Sequence, residues 1–444
     1  MNLSTQNYKG TRDIYPEDMR LRNYIFATWK EVVESFGYEE YDAPILEPLE
    51  IYAAKSGQEI VNEQTYTFVD RGDRTVAIRP EMTPSISRMV AARRQEMPMP
   101  ARLYSISNFM RYERPQKGRE REFWQLNLDL FGVENIDADA EIITISDKIL
   151  RKFGADESMF TININDRRLT DYIMREYLEL DQDQAQKMIK LFDRRDKIGE
   201  FYFPYFVNDV ILGGTGGASL APSSLEQEKR LGEFMAKINK VMEVDEFSDL
   251  PNEILRNAPI GDLKNLLQKL QSSGINSAKF DPTLMRGFDY YTGIVFEVFD
   301  ESPENNRSMF GGGRYDGLIS LFGVETLPVV GAAPGETTTI EFLRAHNLIP
   351  KLKPSTQVVL IPVGEVNTEE IAEELRTRKI NVSTDFTNRK MDKKIKAATK
   401  AQIPFVLFVG ENETMEQKFP LKNLETGEQE VMNIDQIASS ILNQ

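Results

Sequence analysis

Two β-like runs, residues 102–112 and 122–130, flank a tip dense in charge: Glu113-Arg114-Pro115-Gln116-Lys117-Gly118-Arg119-Glu120-Arg121. Runs joined by so short a connection pair antiparallel, because a parallel partner needs a crossover of a dozen or more residues. A second pair, 65–69 and 75–78, brackets Asp70-Arg71-Gly72-Asp73, a glycine-containing turn that signals another hairpin. The first half of the chain is therefore antiparallel β with helices, not alternating βαβ.

The remaining patterns sort around that core. Leu21, Tyr24, Ile25, Trp29, Val32, Val33 and Phe36 recur at i, i+3, i+4 spacing, which predicts an amphipathic helix stopped by Gly37. Pro44 and Pro48 bar a regular helix after it. Residues 168–270 are rich in Leu, Lys, Glu, Gln and Asp at helical spacing, broken by Gly213-Gly214-Thr215-Gly216-Gly217, and predict a mostly helical insertion. That glycine run does not lead from a strand into a helix, so a turn is favoured over a dinucleotide loop. Strand pattern returns at 293–299 and at Gly311-Gly312-Gly313-Arg314-Tyr315-Asp316-Gly317. Lys351-Leu352-Lys353-Pro354-Ser355 marks a linker, and beyond it strand and helix alternate in a small α/β module. The division expected is 1–167 and 271–350 as two parts of one α+β core, 168–270 as the insertion, and 355–444 as the terminal domain. At roughly 150 residues per domain, 444 residues hold about three such bodies.

Composition narrows the chemistry. There is no cysteine and one histidine, His346. That excludes disulfides, a thiolate nucleophile, Cys-based metal sites and any His-rich metal site, so no protein-held metal is expected. A Ser-His-Asp triad would have to use His346 itself. Carboxylates, arginines, lysines and tyrosines remain. The net charge of −16 gives no global field for nucleic acid, though phosphate contact needs only a local basic patch. Residues 1–20 contain no apolar signal-peptide core, and no run approaches the roughly 18 apolar residues of a membrane span, so a cytoplasmic protein without a membrane partner is expected.

Three stretches carry candidate chemistry. Arg111, Arg114, Lys117, Arg119 and Arg121 crowd one hairpin. On charge alone this is a solvated tip; guanidinium forks also match phosphate oxygens, which makes it a polyphosphate clamp. Gln125 and Asp129 share one strand face with Phe123 and Asn127, a polar row that suggests a lined pocket. Met285-Arg286-Gly287-Phe288-Asp289-Tyr290-Tyr291-Thr292-Gly293 is either a buried aromatic corner or a binding peptide. Arg79-Pro80-Glu81-Met82-Thr83 by itself is a helix start, with Thr83 as cap and Glu81 near the positive end.

Together these residues resemble the histidyl-tRNA synthetases, a class II aminoacyl-tRNA synthetase family, over nearly the whole length. Gly10-Thr11-Arg12-Asp13-Ile14-Tyr15-Pro16-Glu17-Asp18 is similar to the family's opening, and the first helix with the Pro44 strand to the class's dimer-forming first motif. Residues 111–132 resemble the second motif, 285–293 the peptide that marks histidine-specific enzymes, and 312–317 the strand before the third motif. The last 90 or so residues resemble the anticodon-binding domain. The resemblance implies a class II antiparallel sheet flanked by helices, with a helical insertion and a C-terminal α/β anticodon-binding domain. It implies a homodimer that uses ATP with Mg²⁺, L-histidine and tRNA(His). Residue by residue, Glu81 and Thr83 hold the amino group of histidine, Gln125 lies near its backbone, and Asp129 and Tyr291 take the imidazole nitrogens beside Tyr290. Arg111 and Arg286 grip the α-phosphate, Arg119 reaches the outer phosphates, Glu113 reads adenine and Phe123 stacks on it. Asp129 stands where the family often has Glu, one methylene longer.

The third motif departs from the pattern. Its run here is Val330-Gly331-Ala332-Ala333-Pro334-Gly335-Glu336-Thr337-Thr338, with Thr338 where the class has an Arg over the adenine and Pro334 replacing a bulky apolar residue. Arg344, six residues on, lies about 240° around a helix and about 9 Å along it, a poor substitute. Either another cation stands in its place in a divergent branch, or ATP binding is weaker, or catalysis is lost. Arg389, Lys390, Lys393, Lys394, Lys396 and Lys400 form a basic patch that is either a tRNA backbone contact or a solvated helix face. An active histidine–tRNA ligase is the first expectation. A non-catalytic paralogue, such as the regulatory subunit of ATP phosphoribosyltransferase or a histidine- or tRNA-sensing protein, is the alternative.

Overall fold

The computed structural model describes residues 3–53, 63–213, 222, 224–285, 290–305 and 308–443. The chain forms two compact units, Met1–Asp13 with Tyr24–Ile349, and Ile14–Asn23 with Pro350–Gln444.

The first unit is organised by an eight-stranded sheet. Its strands are β1 (Glu39–Glu40), β2 (Ala101–Met110), β3 (Glu122–Phe131), β4 (Phe160–Asp166), β5 (Ala278–Phe280), β6 (Ile294–Asp300), β7 (Ser308–Arg314) and β8 (Val329–Ala332). They lie in the order β1-β2-β3-β8-β7-β6-β4-β5, antiparallel except for the two edge pairs. The long hairpin is β2–β3, in unbroken register from Ala101 opposite Phe131 to Met110 opposite Glu122. β2 ends two residues before the expected 112, because the Tyr112 N–H donates to the Gln64 carbonyl instead of the ladder.

β3 buries both faces over its last six residues. Leu126, Leu128 and Leu130 present one face to apolar packing, and Asn127 and Asp129 present the other. A polar face buried that deeply belongs to a site or to a hydrogen-bond network, since an unpaired buried polar group costs about 1–3 kcal/mol. The smaller hairpin Thr67–Val69/Thr75–Ile78 forms as expected, joined by Leu46–Pro48 in a three-stranded sheet.

The helix Pro16–Ser35 buries Ile25, Trp29 and Val33, one stripe at i, i+4, i+8, and Gly37 ends it at φ +81°. The helix Thr83–Arg93 differs from expectation at its start. Thr83 is its first residue rather than its cap, Met82 holds the cap position with no side-chain bond, and Pro84 sits in the first turn. Between β4 and β5 the described residues hold helices and no strand, the longest being Leu225–Met242. The glycine run beyond Gly213 lies outside the described residues.

The helix Glu336–Ala345 follows β8 and packs on the sheet. His346 caps its C-terminal end. The imidazole Nε2 is 2.7 Å from Oδ1 of Asp300 at the end of β6, and its ring lies 4.6 Å from Phe342. This histidine is a clasp between helix and sheet.

The second unit is a five-stranded sheet of β9 (Val358–Val363), β10 (Val382–Thr384), β11 (Phe405–Gly410), β12 (Phe419–Asn423) and β13 (Gln429–Met432), ordered β10-β9-β11-β12-β13. β9 pairs parallel with β10 and β11, as the strand–helix alternation predicts, and the last two strands add antiparallel. Leu360, Leu407, Val409, Ile371, Leu375 and Ile437 form its core. Among the described residues of the whole chain, no helix is long and apolar enough to cross a membrane.

Candidate active site

The floor of the site is polar and buried. Asp129 on β3 is 4% exposed, and the Tyr315 hydroxyl, one residue beyond β7, donates to its Oδ1. Burial pushes the Asp129 carboxyl up to about 7, against the opposing pull of the Tyr315 bond. Tyr291 is buried within reach of the same charges, its hydroxyl raised above the ordinary phenol range first by burial and then by Glu81 and Asp129. Tyr41 is raised in the same way by burial and by Asp129. These hydroxyls stay protonated, so each can act as a donor.

Glu81, 3% exposed, lies just ahead of the helix Thr83–Arg93 and accepts from the Tyr290 hydroxyl at 3.2 Å. Burial first and Glu81 second keep that hydroxyl protonated, and Thr83 bonds to it as well. The Tyr290 ring meets Tyr291 at 5.1 Å and Tyr315 edge-on at 5.6 Å. Gln125 donates from Nε2 to the Ala333 carbonyl at 2.8 Å.

Two glycines make room for this floor. A Cβ on Gly331 would stand 2.3 Å from Asp129 Oδ1, and one on Gly313 would stand 3.0 Å from the Tyr291 ring. Any side chain at either position would displace a pocket residue.

The hairpin carries the cations. Arg111 donates from Nε to the Pro80 carbonyl at 2.9 Å, and its guanidinium lies 5.3 Å over the Phe123 ring. Glu113 stands between two arginines, 3.3 Å from Arg119 Nη1 and 3.9 Å from Arg111 Nη1. Tyr112, Glu113, Arg114, Gln116 and Arg119 line an open cleft of about 420 Å³. Arg121 does not join them. It is 9% exposed, lies 4.0 Å over the Tyr112 ring, and donates from Nε to the Glu113 carbonyl. Its charge holds the hairpin together rather than facing the cleft.

Thr338 donates its hydroxyl to backbone carbonyls, that of Met309 on β7 at 2.8 Å and that of Gly335 in its own turn at 3.1 Å. Arg344 is tied to Glu341 on its own helix at 3.1 Å. Arg286 and its neighbours Gly287, Phe288 and Asp289 lie outside the described residues.

In the second unit Lys390 and Lys393 are exposed at the start of the helix Met391–Lys400. Arg389 is ion-paired with Asp385 at 3.0 Å. Lys394 departs from expectation: it is 7% exposed, and its Nζ donates to the Asp385 carbonyl. Helical period places it on the packed face, so it is a structural lysine and is removed from the basic patch.

Two residues of the site were not singled out from sequence. Tyr315 was visible only as part of the run Arg314-Tyr315-Asp316. Arg12 belongs to the opening motif, and its site-facing partners lie 108 and 324 residues away.

Comparison with known proteins places this arrangement. The model of the histidyl-tRNA synthetase family matches residues 10–335, and that of an anticodon binding domain matches 357–444. The histidine–tRNA ligase of Leptospira biflexa is 41% identical over 95% of this chain and 94% of its own. That of Thermococcus kodakarensis is 33% identical over 98% of each. The crystal structure of the histidyl-tRNA synthetase from Nostoc sp. PCC 7120 superposes with a TM-score of 0.79 at 25% identity, covering all of both chains.

Proposed function

Since the chain belongs to the histidyl-tRNA synthetase family, we propose that it is a histidine–tRNA ligase that activates L-histidine with ATP and transfers the histidyl group to the 3′ end of tRNA(His). The observation that carries this reading is the Asp129 carboxyl, buried beside protonated tyrosine hydroxyls. Neutral imidazole has one N–H donor and one bare nitrogen. Asp129 accepts from the first, and the Tyr291 hydroxyl donates to the second. A side chain without both groups leaves a buried partner unpaired, which is a strong basis for rejection. Glu81, which accepts from the Tyr290 hydroxyl, takes the substrate ammonium together with Thr83, and Gln125 lies near the amino acid backbone.

The reaction needs no protein nucleophile. A carboxylate oxygen of histidine attacks the α-phosphorus of ATP, the bond to the β-phosphate oxygen breaks, and pyrophosphate leaves. A hydroxyl of the terminal ribose of tRNA then attacks the carbonyl of the adenylate, releasing AMP. Catalysis is positioning and charge stabilisation. Arg111, braced on the Pro80 carbonyl, faces the α-phosphate together with Arg286. Arg119 reaches the outer phosphates, Glu113 reads adenine, and Phe123 stacks on it. Mg²⁺ enters as part of the ATP substrate. The second unit takes the anticodon end of tRNA, with exposed Lys390, Lys393 and Arg389 toward its backbone. The working form is a homodimer in the cytoplasm. The catalytic body is 1–167 and 271–350, with 168–270 inserted.

The non-catalytic alternative is disfavoured by the anticodon-binding module at residues 357–444 and by the polar floor of the pocket. Histidine-dependent exchange of pyrophosphate into ATP decides between them. Exchange with histidine and not with other amino acids is expected, and its absence in folded protein overturns the ligase reading.

A further inference from the structure

One guanidinium joins three segments distant in the chain. Arg12 places Nε 2.9 Å from Glu120 on the hairpin tip and Nη2 3.3 Å from Glu336 at the start of the helix Glu336–Ala345. The Glu336 side chain is 2% exposed, and a carboxylate so buried requires a cationic or hydrogen-bonding partner. Arg12 gives its Nη2 donor to Glu336 and its Nε donor to Glu120. A lysine, with one compact ammonium, cannot hold two carboxylates with donors fixed apart in this way.

The same N-terminal segment runs along the returning arm of the hairpin. The Gly10 carbonyl accepts the Arg121 N–H at 2.7 Å, and the Tyr8 hydroxyl accepts from Arg121 Nη1 at 3.1 Å. A Cβ on Gly10 would stand 2.8 Å from the Arg121 side chain and from Pro115, so strap and hairpin are in close contact. A second ion pair ties tip to helix, Lys117 Nζ to Glu341 at 3.5 Å. Between the two pairs lies Thr338, whose methyl would stand 3.9 Å from a Cβ on Gly118.

We propose that Arg12 is a positioning residue for ATP: by clasping Glu120 and Glu336 it sets the height of the hairpin tip over the helix Glu336–Ala345, and with it the reach of Arg119 and Glu113. The clasp matters in this chain because Thr338 brings no cation of its own to hold the triphosphate end. This inference rests on the ligase reading for the identity of its ligand.

Calorimetric titration of the full chain with MgATP and, separately, with L-histidine tests it without relying on turnover. Arg12→Ala is expected to weaken ATP binding about tenfold and Arg12→Lys by several-fold, with histidine affinity unchanged within twofold. Glu336→Gln, nearly isosteric, is expected to weaken ATP similarly. Adding Arg12→Ala to it is expected to weaken ATP by much less than the product of the single effects, because the two act as one unit. Unchanged ATP affinity in both Arg12 variants, equal loss for both ligands, or independent effects in the double variant overturns the clasp. Wild-type protein that binds ATP but shows no histidine-dependent exchange fails the ligase reading alone, while the ATP titrations still decide the role of Arg12.

Discussion

The two ends of the proposed site are built on opposite principles. The histidine end is sealed: Asp129, Glu81 and Tyr290 are each under 5% exposed, and the groups that meet a ligand are fixed by other buried groups. The triphosphate end is open. Arg119 is 54% exposed, and its surroundings are held by ion pairs between segments far apart in sequence. Discrimination between amino acids needs desolvated, oriented partners, because an unmatched ligand must leave them unpaired. Gripping a highly charged and invariant triphosphate needs field and reach, which partly exposed arginines supply. The proposed histidine end therefore tolerates little change, and the proposed triphosphate end has a neutral Thr338 and is held together through charges on other residues.

The sharpest break in this contrast comes from Arg111, which sits at the junction. Arg111→Ala is expected to lower adenylate formation about a thousandfold, measured by pyrophosphate exchange, since the charge is lost where it develops. Next is Asp129→Asn, expected to cost about a hundredfold in kcat/KM for histidine and to stabilise the fold at alkaline pH. The sign follows from the raised carboxyl. The folded state holds the proton up to about pH 7, and the unfolded chain releases it near pH 4. Wild-type stability attributable to this group therefore falls as pH rises between those values, and the full cost is present above pH 7. Asparagine removes it, so denaturant melts are expected to show a gain of about 2 to 4 kcal/mol at pH 8 and none below pH 4.

Gly331→Ala pushes on Asp129 without touching a phosphate-binding group. It is expected to raise KM for histidine some tens of fold, with KM for ATP unchanged; equal changes in both would show that the two ends are not separate. Thr338→Arg probes the open end and is expected to lower KM for ATP by about threefold to tenfold, as a new exposed charge would. The smallest effect belongs to the second unit. Replacing Lys390, Lys393 and Lys396 by Gln is expected to weaken tRNA binding at low salt and to flatten its salt dependence by roughly 0.7 to 0.9 of a logarithmic unit for each phosphate no longer neutralised. Lys394→Gln, by contrast, is expected to lower the melting temperature of the chain and leave that slope intact.

What the sequence made legible follows the range of the interactions involved. The two hairpins, the first helix with its Gly37 stop, and the strand–helix alternation of the second unit are local patterns, and they appear as expected. The polar row of β3 was legible because period two is a property of the strand itself. Its partners were not: Tyr315 reaches Asp129 across 186 residues and Arg12 reaches Glu336 across 324, and no local pattern encodes such pairings. Thr83 misled for a related reason. A threonine ahead of an apolar run signals a cap, but Met82 already takes helical φ and ψ, so the helix starts one residue earlier and Thr83 falls inside it, where its hydroxyl bonds Tyr290. Lys394 misled because a lysine in a basic run was counted by charge, whereas helical phase decides which lysines face solvent.

The clasp of His346 on Asp300 has a practical use. It is the one imidazole of the polypeptide, and it ends the helix whose first turn carries Glu336 and Thr338. Protein labelled with isotopic histidine and then freed of the amino acid gives a single imidazole resonance in a magnetic resonance spectrum. In a titration with ATP that signal would report whether the far end of the helix responds to the ligand proposed for the near end. Labelled histidine added to unlabelled protein gives the complementary spectrum, in which every imidazole line belongs to the ligand. Substrate and scaffold can thus be watched separately through one kind of nucleus, with no engineered probe.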